Sequence, residues 1–246
     1  GRFEGAADFD PDLTNTNTNS TGNADPFLVK FSSAGQFQWL KTFTGSEYGA
    51  ANNLELDSVG NVYVSGTFAG MLQFDPDLAQ TQVMPQGDLG AYLAKFDANG
   101  NYEWSRTIGA SQAAEATGLA FDGKGGLYLA GTFSGTGDFN TGIGTETLTA
   151  PESTSAGFLS KYDTTGNFVW TKLLSGNEEG LTITGPVVAD AQGVVLTGSF
   201  WGTTDFDPSA GTYPLTSQSN ADAYLAAYDP AGNFRWAKAL GGAGEE

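Results

Sequence analysis

The residues whose types and spacing best suit chemistry are the aspartates of Asp8-Phe9-Asp10-Pro11-Asp12 and of three later counterparts of that segment. These are Gln73-Phe74-Asp75-Pro76-Asp77, Asp138-Phe139-Asn140-Thr141-Gly142 and Asp205-Phe206-Asp207-Pro208-Ser209. Alternate side chains of an extended strand share a face, so the acidic positions line one side while the phenylalanine points to the other, into a core. Oxygen ligands at this spacing suit Ca²⁺, which takes ~6–8 of them at ~2.3–2.6 Å. Asp8, Asp10, Asp12, Asp75, Asp77, Asp138, Asn140, Asp205 and Asp207 are therefore the candidate metal ligands, with Ca²⁺ as the candidate cofactor. The competing reading is turn chemistry, in which phenylalanine anchors a strand end and aspartate shapes the turn before proline. In its favour, the acidic count falls from three to two, one and two across the copies. No glycine and distal glutamate of an EF-hand loop follow either.

Composition removes most other chemistries. Histidine and cysteine are both absent, which excludes Ser-His-Asp and Cys-His catalysis, disulfides and the usual zinc sites. Acidic residues number 28 against 10 basic, a net charge of −18. Phosphate backbones are bound by clustered Lys and Arg, so nucleic acid is not an expected partner, and acidic membrane surfaces are disfavoured for the same reason. No apolar run approaches the ~20 residues of a membrane span. Carboxylate pairs of the glycosidase kind would have to come from Glu4, Glu55, Glu103, Glu115, Glu152, Glu178 and Glu179, which recur in no common register and are not paired in sequence. Trp201 stands outside the tryptophan series, and with Tyr213 it is the candidate for stacking on a sugar ring.

The elements that position these residues follow from a repeat. Ala91–Thr107 (AYLAKFDANGNYEWSRT) has counterparts at Phe27–Thr42, Gly157–Lys172 and Ala223–Lys238, and Trp39, Trp104, Trp170 and Trp236 are spaced 65, 66 and 66 residues apart. A fixed period of this size means one supersecondary unit stacked on its own copies. Tyr92, Ala94 and Phe96 alternate with Leu93 and Lys95 as a β-strand requires. Asp97-Ala98-Asn99-Gly100 then turns the chain, the aspartate accepting from the backbone and glycine taking the left-handed position. The same Asp-x-x-Gly spacing recurs at Asp57/Gly60, Asp122/Gly125, Asp163/Gly166, Asp190/Gly193 and Asp229/Gly232, with Ser32/Gly35 as a variant. These aspartates read as turn formers.

Each repeat then holds four strands. Strand A is predicted at Asn53–Leu56, Gly118–Phe121 and Pro186–Ala189, and strand B at Val62–Phe68, Leu127–Phe133 and Val194–Phe200. Strands C and D form the hairpin. Strand B is apolar on both faces, as in a strand buried from both sides, whereas C and D are more amphipathic. The only stretch resembling an amphipathic helix, Ser111–Gly118, is short, so the chain is expected to be all-β. A Gly-x-Phe triplet at Gly1, Gly66, Gly131 and Gly198 divides it into repeats 1–65, 66–130, 131–197 and 198–246. Radial repetition of four-stranded sheets is the β-propeller, and an array of about four blades is the first choice. A β-sandwich leaves the period unexplained, and a parallel β-helix calls for a shorter one. Between strands B and C lie polar stretches of roughly 20 residues, such as Asp8–Asp25 and Gln73–Gly90, in which Thr145–Ala150 and Thr212–Ser217 could add short edge strands. Loops of this kind are where repeat proteins carry binding.

On NVYVSGTF (Asn61–Phe68), LYLAGTF (Leu127–Phe133), DFDPD (Asp8–Asp12), DFDPS (Asp205–Ser209) and AYLAAYDPAGNFRWAK (Ala223–Lys238), the chain resembles the bacterial extracellular β-propeller repeat family, often called the seven-bladed β-propeller repeat. The match covers essentially the whole chain and implies a module of a secreted or cell-surface protein. The departure is blade number, since about three and three-quarter repeats are present. Asp163-x-x-Gly166-x-x-x-Trp170 also looks like the tryptophan-docking motif of quinoprotein propellers, which implies that the four tryptophans pack between blades.

Three functions are open at this stage. The first is a non-catalytic extracellular module with a structural, assembly or adhesive role. The second is a carbohydrate-binding propeller using Trp201 and Tyr213. The third, more remote, is a polysaccharide-acting enzyme. Strands C and D of the first repeat lack A and B, which leaves a lateral edge open to another chain or marks an excerpt of a larger propeller. The expected partners are accordingly other copies of the chain or another surface protein, with glycans as the alternative. The cations Lys41, Arg106, Lys172 and Lys238, two residues after each tryptophan, and Lys30, Lys95 and Lys161 on strand C are expected to guard strand edges or to pair across the hairpin.

Overall fold

Alternation and turn chemistry build four antiparallel blades along the chain, with short hairpins between them. A computed structural model describes residues 1–10, 17–75, 77–152, 154–176, 180–183, 185–218 and 220–242; Asp12, one of the candidate ligands, lies outside them. The second blade runs Gly49–Leu56 (A), Val62–Phe68 (B), Gly90–Phe96 (C) and Tyr102–Ala110 (D), each strand antiparallel to its neighbour. The third is Ala113–Phe121, Gly126–Ser134, Ala156–Asp163 and Phe168–Gly176. In the fourth, strand A is split into Leu181–Thr182 and Val188–Asp190, followed by Gly193–Phe200, Asp222–Tyr228 and Phe234–Leu240. The first blade shows Arg2–Phe3 at the end of B, then Asp25–Phe31 and Phe37–Thr42. The fold is all-β and propeller-like, with a 3₁₀ turn at Ala79–Thr81. No helix among the described residues is long and apolar enough to cross a membrane.

Strand B of the second blade is buried on both faces, as its two-sided apolar pattern requires, with every residue of Val62–Phe68 buried, and strand C is nearly as deep. The apolar cores lie between successive blades rather than within one. Tyr63 and Leu93 of the second blade pack in one cluster with Ala116, Leu129 and Phe158 of the third. Tyr128 and Leu159 of the third pack with Leu196 and Tyr224 of the fourth. Strand A is longer than its apolar residues suggest, because small residues carry its first half. Ser111–Gly118 falls mostly within the strand Ala113–Phe121, where Ala114 and Ala116 are fully buried. A register shift at Ala116/Gly118, matched at Ala51/Asn53 in the second blade, marks a bulge in strand A.

The Gly-x-Phe triplet closes strand B opposite that bulge. A Cβ on Gly66 would stand 1.9 Å from the Ala50 carbonyl oxygen and 2.6 Å from Tyr92 Oη. Tyr92 donates to that same carbonyl at 3.1 Å. Glycine recurs here because the neighbouring backbone occupies the space of a side chain.

At the C–D turns the sequence motif extends one residue further than Asp-x-x-Gly. Asp97 Oδ1 accepts the backbone N–H groups of Asn99 and Asn101, both at 2.8 Å, and Asn101 Nδ2 donates to Oδ2 at 2.8 Å. The same asparagine latch closes Asp163–Asn167 and Asp229–Asn233, and in the second blade it also closes the A–B turn at Asp57–Asn61.

Candidate functional site

The acidic segments sit on short hairpins that bind one blade to the next. In the third repeat, Thr136–Asp138 pairs with Thr147–Thr149, and its other edge pairs with the end of the second blade's strand D, Gly109 opposite Asp138 and Ala110 opposite Gly137. In the fourth, Thr203–Asp205 pairs with Pro214–Thr216 and with Ser175–Gly176 of the third blade. Leu72–Gln73 does the same between Gln82–Val83 and Thr44–Gly45. The first repeat has the hairpin too, Ala6–Asp8 with Asn17–Asn19. The edge strands expected in Thr145–Ala150 and Thr212–Ser217 are thus halves of inter-blade clasps.

Within each clasp the carboxylate holds the hairpin tip. Asp138 Oδ1 accepts the N–H of Asn140 at 3.0 Å and of Glu146 at 2.8 Å. Asp205 Oδ1 accepts from Asp207 at 3.0 Å and from Tyr213 at 2.8 Å. Asp8 accepts from the Asp10 N–H and Asp75 from the Asp77 N–H, each at 3.0 Å. Asn140 and Asp207 cap the next bend, accepting from Gly142 and Ser209. The chain therefore bends after the first acidic position instead of continuing as an extended strand with two ligands on one face. Where glutamine replaces aspartate, Gln73 Nε2 bridges the Asp75 and Leu78 carbonyls at 2.8 and 3.0 Å. Among the described residues no group of three or more acidic side chains is placed to hold a metal ion. Asp10 is buried, Asp8 and Asp77 are exposed, and the phenylalanines Phe74, Phe139 and Phe206 are buried in the core as expected.

A second recurrent contact joins the blades through the tryptophans. Trp104 Nε1 donates to the Thr164 carbonyl at 3.3 Å, and Trp170 Nε1 to the Pro230 carbonyl at 3.2 Å. In each case the acceptor is the second residue of the next blade's C–D turn. The indole lies on the turn glycine: a Cβ on Gly100, Gly166 or Gly232 would approach Trp39, Trp104 or Trp170 to 3.0, 2.9 and 3.1 Å. The cation two residues on completes the contact, since Arg106 Nε donates to the Gly166 carbonyl at 2.7 Å. On strand C, Lys30 reaches the Ala98 carbonyl at 2.8 Å and Lys161 the Pro230 carbonyl at 3.1 Å, again across the blade boundary. Lys95 instead behaves as a cross-hairpin partner, pairing with Glu103 at 2.7 Å. The role of these cations in bridging blades was not read from the sequence. The available signal was their fixed offset from a tryptophan whose partner glycine recurs 61 or 62 residues later.

The two candidate aromatics do not form one platform. Trp201 is half-buried just before the strand Thr203–Asp205. Tyr213 lies at the other end of that hairpin, about 10 Å along a three-residue strand, with its ring 4.8 Å from Phe234.

No family model matches the chain. A stretch of 146 residues, 59% of the chain, is 27% identical to the regulatory protein FlaEY of Caulobacter vibrioides. Another of 213 residues, 76% of the chain, is 27% identical to an uncharacterized WD repeat-containing protein of Acanthamoeba polyphaga mimivirus. The chain spans about 15% of the length of each of these curated relatives. The WD-repeat likeness agrees with a propeller-like repeat fold.

Proposed function

We propose that the chain is a non-catalytic β-propeller module of an extracellular or cell-surface protein, with a structural or assembly role. One observation carries the reading: the residues repeated from blade to blade are spent on joining blades. Trp39, Trp104 and Trp170 and the cations Lys30, Arg106 and Lys161 make inter-blade contacts, and the carboxylates of the acidic segments accept backbone N–H groups at hairpin tips. A fold that invests its recurrent polar groups in blade contacts serves as a scaffold. The location rests on the resemblance to bacterial extracellular repeats, and it suits a strongly acidic surface that keeps an exposed protein soluble.

Protease shaving of intact cells that make the protein tests the location. Peptides of this chain in the shaved fraction support it, and peptides that appear only after lysis overturn it. A panel of polysaccharides incubated with the purified chain tests the rest, with no cleavage product expected. Release of oligosaccharide would overturn the non-catalytic reading.

A further inference from the structure

Between the first two blades, beside the clasp of the second repeat, lies a hollow of about 190 Å³. Phe74, Phe96 and Tyr102 give it an apolar wall, and Lys41, Asp75 and Asp77 bring charge to it. The fourth repeat shows what such a place takes. The clasp residue whose carbonyl accepts the N–H of the buried phenylalanine is Tyr213 there, on Phe206, and Thr81 in the second repeat, on Phe74. The Tyr213 ring lies 4.8 Å from Phe234, the first residue of strand D. Tyr102 is the first residue of strand D in the second blade, but Thr81 is short and buried, and its hydroxyl accepts the Asp75 N–H at 3.0 Å. The second repeat therefore has the aromatic wall without the ring that packs on it in the fourth.

The charged groups around the hollow are uncommitted. Asp75 Oδ1 accepts the Asp77 N–H, yet among the described residues Asp75 Oδ2 and the carboxylate of exposed Asp77 accept no hydrogen bond. Lys41 makes neither a hydrogen bond nor an ion pair among them. Its counterpart at the next boundary, Arg106, donates to the Gly166 and Ser105 carbonyls. The hollow has the volume of about six water molecules in the liquid, the size of one small ring with its substituents.

We propose that this hollow binds a neutral pyranose, one ring of a glycan, with its C–H face toward Tyr102 and its hydroxyls shared among Lys41, Asp75 and Asp77. An aromatic wall with a few placed polar groups is the usual make-up of a small-molecule site. An ammonium only donates and a carboxylate only accepts, so hydroxyls, which do both, satisfy the two kinds at once. An acidic ring would face two carboxylates, and an amino sugar would face the Lys41 ammonium. The site goes beyond the scaffold reading and needs neither the cell-surface location nor the assembly role.

NMR titration of the purified chain with glucose, galactose, mannose and N-acetylglucosamine tests it. At least one should bind with a Kd on the order of 1 mM, the range of a ligand of about twelve non-hydrogen atoms, and shift the amide signals of Lys41, Asp77 and Tyr102. Lys41→Met and Asp77→Ala should each weaken that binding about tenfold. Both should keep the wild-type melting temperature, since neither side chain makes a hydrogen bond that holds the fold. Trp201→Ala should leave the Kd unchanged. The absence of binding by all the sugars overturns the proposal. Binding that either Lys41→Met or Asp77→Ala retains at full strength, or that Trp201→Ala abolishes, places the sugar elsewhere and overturns it too. Tighter binding of glucuronate or glucosamine than of any neutral sugar would overturn it in favour of a site for a charged group.

Discussion

The Trp104 indole lies over Gly166 so closely that a Cβ at that glycine would stand 2.9 Å from its Cδ2 and Cε3 atoms. Gly35 has the same backbone angle, φ +79 in both, and open space around it. The pair separates two costs that usually travel together. An L side chain at this φ is strained by roughly 1–2 kcal/mol, whereas the clash with a docked indole exists only at Gly166. Gly35→Ala is expected to lower stability by about that strain alone. Gly166→Ala should lower it by a further ~1–3 kcal/mol, the usual range for overpacking a filled site. Chemical denaturation of both variants measures the difference, and equal losses would mean that docking contributes nothing.

Much of this was legible in the sequence because period-2 alternation and turn residues act locally. The hairpin Ala91–Thr107, the buried strand Val62–Phe68 and the repeating array all follow from it. Strand A is longer than its apolar residues suggest, since Ala114 and Ala116 are small residues whose burial depends on the facing blade and leaves no hydrophobic signature of its own. For the acidic segments the sequence supports two readings, an extended strand with Asp138 and Asn140 on one face and a turn shaped by the aspartate, and the hydrogen bonds favour the turn. They bend because Asp138 captures the N–H two residues on, a local competition that strand periodicity does not contain. The clasp onto Gly109–Ala110 is a pairing between repeats, and no spacing within one repeat could reveal it.

The latch aspartates make a pH prediction. At Asp57, Asp97 and Asp163 partial burial works against ionisation, yet hydrogen bonds from nearby backbone and side chains outweigh it and hold each carboxyl below its ordinary value. At Asp229 the Asn233 amide is the main cause of the same shift. A carboxyl depressed by folding contributes stability that is complete above its unfolded pKa, about 3.9, and is lost as pH falls through the lower folded value. Asp163→Asn lacks that contribution. The stability gap between wild type and Asp163→Asn should therefore be constant above about pH 5 and close below about pH 4. The relief of net negative charge on acidification acts on both proteins and cancels in the gap. Urea midpoints across this range check it, and a gap that stays flat to the acid limit would contradict the latch.

The clasp carboxylates can be tested apart from the turns. Asp205 Oδ1 holds two backbone N–H groups and closes the hairpin tip at Tyr213. Removing a charged acceptor of this kind costs about 1.5–3 kcal/mol where it is buried, and less at this half-exposed site. Asp205→Ala is expected to speed amide exchange in Thr203–Thr216 and to leave the blade strands protected. Millimolar calcium should shift the melting temperatures of wild type and variant equally. A calcium-dependent rise that appears only in the wild type would assign the carboxylate to a cation instead.

The close backbone approach seen at Gly66 recurs at Gly131. A Cβ there would stand 1.9 Å from the Glu115 carbonyl oxygen and 2.8 Å from Phe158 Cε1. The first neighbour is backbone and the second is a buried ring of the core cluster, so neither can swing aside as a flexible side chain would. Strand A would have to leave strand B at the bulge between Ala116 and Gly118. Gly131→Ala should therefore lose more than about 4 kcal/mol, among the largest effects of single substitutions, or fail to fold. Gly142→Ala is the control, since its Cβ would meet only Asn140 Oδ1 at 3.4 Å in an exposed loop; that variant should stay within about 0.5 kcal/mol of wild type. Thermal melts of the two decide the matter. A Gly131→Ala protein that melts beside the wild type would mean that glycine recurs in the triplet for some reason other than the approach of strand A.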